Sequence, residues 1–382
     1  MNALRYSLAV VLVGLLGVGP SAAQQFNNVG QSAANFLKIP VGPRASALGG
    51  AYTAVVNDAT ATYWNVAGMM GVPNHEVTLT TNMWLLDLRH DFVSGVFSVG
   101  VNNRIGLSIS YLNYGDDLIE TTPEQPRGTG LTFSAYDVAI GLGYARQLTD
   151  RFAVGGQAKY VRESIYKSSA SGMAFDLGLL YTSDWNNLRI GAAISNFGPD
   201  LQMTGDNLRF QSDPYPETGQ NPDDVPVFLE TEPFSLPIQF QVGASITPYR
   251  GEAAAVTAML DVRDSRDFNQ EVRLGGEVAI FNTLFLRGGG NLLMIEGSPF
   301  GGGDDVVVEG NPDADNTSIG NAYRNPTTIT RGDLRDGQPL FNLGAGLQFF
   351  LPNSRTGFKF DYAFSRIKTL DDVHRFGVSL LL

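Results

Sequence analysis

The sequence predicts an all-β protein, a transmembrane antiparallel β-barrel of about fourteen strands with an N-terminal plug segment. Three observations carry that reading. Long stretches alternate with a period of two, apolar or aromatic side chains on one face and small or polar ones on the other. Only 17% of the 382 residues are charged and 44 are glycine, whereas a soluble domain carries about 25% charged residues. The connections between the alternating stretches also sort by length, every long one following an odd-numbered strand.

Composition removes several classes of function. The chain has no cysteine, which excludes a disulfide scaffold, thiolate metal sites and a cysteine nucleophile. Its three histidines, His75, His90 and His374, are scattered, and none accompanies a G-x-S-x-G nucleophile motif. No catalytic residue and no cofactor are therefore expected. Asp304-Asp305 and Asp313-Ala314-Asp315-Asn316 supply oxygen ligands but lack the spacing of a calcium loop, so no metal site is expected either. A net charge of −12 offers no basic footprint for nucleic acid.

Residues 1–23 read as a secretory signal peptide. Arg5 supplies the positive start, Ser7 to Gly19 is nearly all apolar, and Ser21-Ala22-Ala23 provides small residues for cleavage. That apolar core falls short of the roughly 20 residues of a membrane helix. No later stretch reaches about 18 uninterrupted apolar residues, so strands must do any spanning.

Residues 24–74 lack the alternation and read as a plug, or hatch. Ala45 to Tyr52 is a run of small, close-packing residues. Asp58 or Thr60 is placed to cap a short helix ending near Gly68. Phe36, Leu37, Tyr52, Tyr63 and Trp64 are its apolar anchors, and the small inward residues Gly141, Gly143, Gly344 and Gly346 leave room for it in the lumen.

Residues 75–382 read as the barrel. Between Ala135 and Ala145, Tyr136, Val138, Ile140, Leu142 and Tyr144 share one face, and Asp137, Ala139, Gly141 and Gly143 lie on the other. The same pattern predicts strands near 75–84, 89–99, 103–114, 133–147, 151–166, 172–183, 187–197, 236–248, 253–263, 270–281, 284–296, 339–351, 356–366 and 373–382. Most have the length a tilted membrane strand needs, about 9–11 residues. Lipid tolerates no open sheet edge, so they are expected to close. The long connections, 116–132, 198–235 and 297–338, hold 19 acidic and 5 basic residues. These loops are expected outside the cell, with short turns at the periplasmic end, where His75 and His374 are also placed.

Charges within the strands fall mostly on the small-residue face. Asp137, Asp176, Asp261, Glu271, Glu277 and Asp361 accompany Lys159, Arg189, Arg263, Arg273, Arg287 and Lys359. An Arg or Lys facing lipid at the midplane costs about 2–4 kcal/mol, so these side chains are expected to point inward and pair with one another and with the plug.

The run Phe36 to Tyr52 (FLKIPVGPRASALGGAY), followed by Tyr63-Trp64-Asn65-Val66-Ala67-Gly68-Met69, resembles the N-terminal signature of the PorV/PorQ family. The distinctive positions are Arg44, Gly49, Gly50, Tyr63, Trp64, Asn65 and Gly68, with Val66 where the family usually has proline. The resemblance implies a bacterial outer-membrane, multi-pass barrel related in fold to FadL, the long-chain fatty-acid transporter. It further implies a component of the type IX secretion system without catalytic activity. Its partners would be outer-membrane lipid, the translocon pore protein, the C-terminal β-domains of cargo, and a surface attachment complex containing a sortase. Loop aromatics Phe210, Tyr215, Phe228, Phe234, Phe300 and Tyr323 are the expected partner-binding surface. The alternative is a FadL-like transporter of hydrophobic small molecules, which requires an apolar pocket and a lateral opening. The mostly small or charged inner face favours the former.

Overall fold

The computed structural model describes residues 32–85, 88–212, 225–266, 268–293, 306–308, 327–329, 339–367 and 372–382. Fourteen antiparallel strands form the wall. They are β1 (Glu76–Met83), β2 (Arg89–Ser98), β3 (Asn103–Ile119), β4 (Thr132–Thr149), β5 (Phe152–Ile165), β6 (Ser168–Thr182) and β7 (Arg189–Phe197). Then come β8 (Gln239–Arg250), β9 (Ala254–Ser265), β10 (Phe268–Ile280), β11 (Leu284–Leu293), β12 (Pro339–Phe350), β13 (Gly357–Ile367) and β14 (Val373–Leu381). Each strand pairs with its neighbours in sequence. The sheet closes where β14 meets β1, with Glu76 opposite Leu381 and Met83 opposite His374. Every expected strand is present. The expected signal peptide and the start of the plug lie outside the described residues.

The alternation sets the radial order. On β4, Leu142 is 59% exposed whereas Ala145 is fully buried. Ile140 and Tyr144 share the outer face with Leu142, and Asp137 and Ala139 share the inner face with Ala145. On β13, Phe360 and Tyr362 are exposed while Lys359 and Ala363 are buried. An apolar exterior around a polar interior is what a lipid surround demands, because exposed backbone is already satisfied by the closed ladder.

Three features depart from the sequence reading. Strands β3 and β4 continue beyond the expected ends, with Leu118 opposite Phe133. The register shifts at Gly115, whose φ is +125°. That irregularity interrupts the alternation and hides the extension. Within the connection from β7 to β8, Arg209–Ser212 and Val225–Phe228 form a two-stranded ribbon, and Thr204–Gly205 pairs with the start of β6. Finally, His374 lies at the long-loop end, opposite Met83, and not at the short-turn end. An even-numbered strand begins at the long-loop end, so residue 374 starts β14 there. His75 does lie at the short-turn end, exchanging backbone hydrogen bonds with Leu382.

The lumen is filled by the segment that precedes β1. Its first described residues lie near the long-loop end, where the Ala33 N–H donates to the Ser235 carbonyl at 2.9 Å and the Ala34 N–H donates to Glu163 Oε1 at 2.9 Å. Phe36, Leu37 and Ile39 pack there with Leu112, Val161, Leu201 and Leu236. Helix α1 (Pro43–Ala47) lies against β11–β14. Helix α2 (Ala61–Trp64) leads through Asn65 into a 3-10 turn at Val66–Gly71, which lies against β3–β6. At the short-turn end the Arg104 guanidinium donates to the carbonyls of Val72 and Pro73. The segment thus runs the height of the barrel and touches both halves of the wall.

The helix in this segment is shorter than the sequence suggested. It ends at Trp64, and Thr60 makes no side-chain cap. Asp58 instead accepts from the Thr60 N–H at 3.0 Å, an Asx-type turn, and Asn65 breaks the helix in extended backbone to bond the wall.

Candidate functional site

The interface between plug and wall gathers the residues singled out in the N-terminal motif. Arg44, on α1, makes a two-pronged contact with Glu277 on β10, Nε to Oε2 and Nη2 to Oε1 both at 2.9 Å. Its Nη1 donates to Tyr52 Oη at 3.1 Å and to Asn57 Oδ1 at 2.6 Å, and lies 3.5 Å from Asp58 Oδ2. Asp58 also takes hydrogen bonds from the hydroxyls of Tyr52 and Thr60 and faces Lys359 Nζ at 3.6 Å. Lys359 reaches Asp361 at 3.6 Å, and Arg287 bridges Asp361 to Glu277, closing the network. A planar guanidinium that engages a carboxylate at two points fixes orientation as well as charge.

This network sets the state of Asp58. Burial would raise its carboxyl, but Lys359 and Arg44, with the hydrogen bonds from Thr60 and Tyr52, hold it well below the ordinary carboxylate value. Burial pushes the Tyr63 hydroxyl up to about 12, so it stays a neutral donor, bonded to the Leu37 carbonyl at 3.1 Å.

The expected pairing of wall charges is partly realised. Glu271 takes Arg273 at 2.7 Å and Arg263 at 3.1 Å, and Lys159 meets Asp176 at 2.8 Å. Three members of the set meet neutral partners instead. Asp261 accepts the backbone N–H groups of Tyr52 and Thr53 at 2.9 and 2.8 Å. Asp137 accepts from the Tyr114 hydroxyl at 2.7 Å. Arg189 donates to the carbonyls of Val55 and Val56 at 3.0 and 3.2 Å. The plug is irregular backbone, and its unpaired N–H and C=O groups must find partners, so the wall supplies them.

The remaining motif residues act by shape and hydrogen bonding. The Trp64 indole N–H donates to the Val41 carbonyl at 2.9 Å, and its ring meets Tyr52 and Tyr63 edge-on at 5.9 and 5.1 Å. Asn65 Nδ2 donates to the Thr53 carbonyl at 2.9 Å and to the Leu179 carbonyl of β6 at 3.0 Å, while its Oδ1 accepts from the Ala67 N–H at 3.2 Å. Gly49 has a φ of +66°, and a Cβ there would sit 2.5 Å from the Gly290 nitrogen. Arg273 Nη1 donates to the Gly50 carbonyl at 3.4 Å. A Cβ on Gly68 would collide with Val56.

Of the wall glycines expected to make room, Gly344 does so for Ala47, and Gly143 for Val66 and Met69 as well as for the wall's own Gln157. Gly141 and Gly346 accommodate wall side chains instead, Gln157 and Ser108 at the first, Asp361 and Arg287 at the second. The sequence reading missed Gly155, Gly178, Gly191 and Gly289, which receive the plug backbone directly. Gly155 and its neighbour provide a test. A Cβ on Gly155 would lie 2.6 Å from the Val66 carbonyl carbon, whereas one on Gly156 faces outward, 3.5 Å from Leu177. Gly155→Val should lower stability by about 1–3 kcal/mol, as overpacking does, and Gly156→Val should leave it near wild type. Urea unfolding in detergent checks both.

The expected partner-binding aromatics divide. Phe210 and Phe228 are exposed on the external ribbon, with Arg209 over the Phe228 ring at 5.6 Å. Phe234 is exposed where Leu201 and Phe234 bridge the base of the same connection. Tyr215, Phe300 and Tyr323 lie outside the described residues, as do the acidic pairs Asp304-Asp305 and Asp313–Asp315. Among the described residues no cluster of metal-ligating side chains occurs.

A closed barrel of fourteen strands, apolar outside and filled by its own N-terminal segment, defines an outer-membrane β-barrel. A family model described as "Type IX secretion system protein PorV" matches residues 21–210 of the 382. No curated protein matches the chain. Similar solved structures include the CymD monoaromatic hydrocarbon channel, 13% identical, covering 90% of this chain and 96% of that one with a TM-score of 0.48. The toluene transporter TodX of Pseudomonas putida is 12% identical, covering 89% and 96%, TM-score 0.49. A Pseudomonas aeruginosa FadL homologue is 12% identical, covering 90% and 98%, TM-score 0.47.

Proposed function

We propose that this barrel is a non-catalytic cargo carrier of type IX secretion. It binds the C-terminal β-domains of secreted proteins at the translocon pore and delivers them to a surface attachment complex containing a sortase. The observation that carries the reading is the way the plug is fastened. Arg44, Asp58, Asn65 and Asp261 join plug to wall on several sides of the lumen, which favours a fixed filling over a moving gate. The surface left for work is then the external one, where Phe210, Phe228, Leu229 and Phe234 are exposed. Aromatic side chains on a ribbon with little core of its own suit contact with another protein.

Affinity purification from detergent-solubilised outer membranes tests this. The translocon pore and proteins bearing the C-terminal β-domain should co-purify. The double replacement Phe210→Ser/Phe228→Ser should reduce cargo recovery at least several-fold while the barrel remains folded. Recovery of neither partner, with hydrocarbon or fatty acid bound in the purified barrel, would replace the carrier reading with small-molecule transport.

A further inference from the structure

On the long-loop side of α1 the lumen widens into a chamber of about 380 Å³. Its position follows from β14. Gly377 packs under Pro43 of α1, and Arg375, two residues nearer the long-loop end, lines the chamber. Arg375 is 2% exposed. Its Nη1 donates to Ser365 Oγ at 2.7 Å, its guanidinium carbon lies 5.5 Å from the centre of the Trp84 ring, and its Nε has no hydrogen-bond partner.

The other buried arginines of the lumen are compensated. Arg44, Arg263, Arg273 and Arg287 each meet a carboxylate. Arg104 and Arg189 each meet pairs of backbone carbonyls. Among the described residues, Arg375 has neither. A buried cation without a counter-charge is costly, and the arrangement persists in natural proteins where a ligand or solvent supplies what is missing. Trp84, Phe36, Leu112 and Ile367 give the chamber an apolar side, and the Glu271 carboxylate that also lines it is already held by Arg263 and Arg273. A guanidinium stacked on an aromatic ring, with an N–H that no protein group accepts, is an arrangement suited to donating to a carboxylate. The chamber volume suits a small ligand and excludes a folded domain.

We propose that this chamber is a binding site for a carboxylate carried on a small apolar body, with the carboxylate on Arg375 and the apolar part against Trp84, Leu112 and Ile367. A free amphipathic acid and the C-terminus of a hydrophobic peptide share that chemistry. The proposal does not depend on the carrier role.

The test uses the full-length barrel in detergent. Titrations with 3-phenylpropionate and with its amide are followed by calorimetry and by tryptophan fluorescence, since Trp84 adjoins the site. A second pair, N-acetyl-Leu-Phe with a free or an amidated C-terminus, distinguishes the two sources of carboxylate. At least one acid should bind ten-fold or more tightly than its amide, and whichever acid does so identifies the source. Arg375→Gln should abolish that preference and Arg375→Lys should keep part of it, with heat-modifiable migration showing both to be folded. Equal binding of acid and amide, no binding of either acid, or an undiminished preference in Arg375→Gln would each overturn the proposal. Should the variants fail to fold, the comparison of acid with amide on the wild-type barrel decides it alone.

Discussion

Arg44→Ala should lower the stability of the barrel by about 3–5 kcal/mol, the range for removing one partner of a buried ion pair. Two carboxylates depend on Arg44. Glu277 would keep Arg287, and Asp58 would keep Lys359, but Glu277 would lose its two-pronged partner and Asp58 the guanidinium beside it. The effect should therefore exceed that of an exposed pair such as Arg151–Asp184, which is worth no more than about 1 kcal/mol. A double-mutant cycle with Glu277→Gln separates pairing from burial. If pairing dominates, the second change should add much less to Arg44→Ala than it costs by itself. Urea unfolding in detergent gives the energies, and limited proteolysis reports whether the plug has left the lumen while the wall stays closed. The pH dependence has a defined sign. A carboxylate held below the ordinary value of about 3.9 contributes its full stability above that pH and loses it only on further acidification. Wild type should therefore hold its plug at pH 4–5, and Arg44→Ala should release it at a higher pH than wild type does. Additive energies in the cycle, together with an unchanged acid profile, would mean the network is incidental.

Trp64→Ala should cost a similar amount, about 3–5 kcal/mol, for a different reason. The ring is 1% exposed and contacts Tyr52 and Tyr63 edge-on, so truncation leaves a cavity between the two aromatic neighbours. It also leaves the Val41 carbonyl without its donor. Trp64→Phe separates the two terms. It keeps most of the packing and removes only the indole N–H, and should cost about 1–3 kcal/mol, the penalty for an unmet buried polar group. If Trp64→Phe is as damaging as Trp64→Ala, the hydrogen bond to Val41 dominates, and the packing account fails.

Much of the wall was legible in the sequence because lipid imposes a simple rule on it. Where one face of a strand meets hydrocarbon, that face must be apolar, and Leu142, Leu177, Leu343 and Phe360 alternate accordingly. Past the lipid the rule lapses, so the extensions of β3 and β4 carried no comparable signal. The inward direction of the charges followed from the same rule, but their partners did not. Arg44 and Glu277 are 233 residues apart, and nothing local to either names the other. Asp261 and Arg189 looked like halves of ion pairs because the sequence shows charge, whereas the plug presents them with bare backbone. The same holds for Gly155 and Gly178, ordinary small strand residues until Val66 and Asn65 are seen pressed against them. The N-terminal motif names residues without their geometry. Arg44, Trp64 and Asn65 are fasteners between plug and wall, a role visible only once both are in place.

The course of the plug also constrains how the molecule is made. Ala33 and Ala34 are bonded to Ser235 and Glu163 at the long-loop end, and its finish is held by Arg104 at the short-turn end, where it continues into β1. In between, α1 rests on β11–β14 and the Val66–Gly71 turn on β3–β6. A chain fastened across the whole bore in this way cannot be threaded into a finished cylinder without breaking most of those bonds. The N-terminal segment must be seated while the sheet is still open at the β1–β14 seam, where it would serve as the mould on which the two halves find their register.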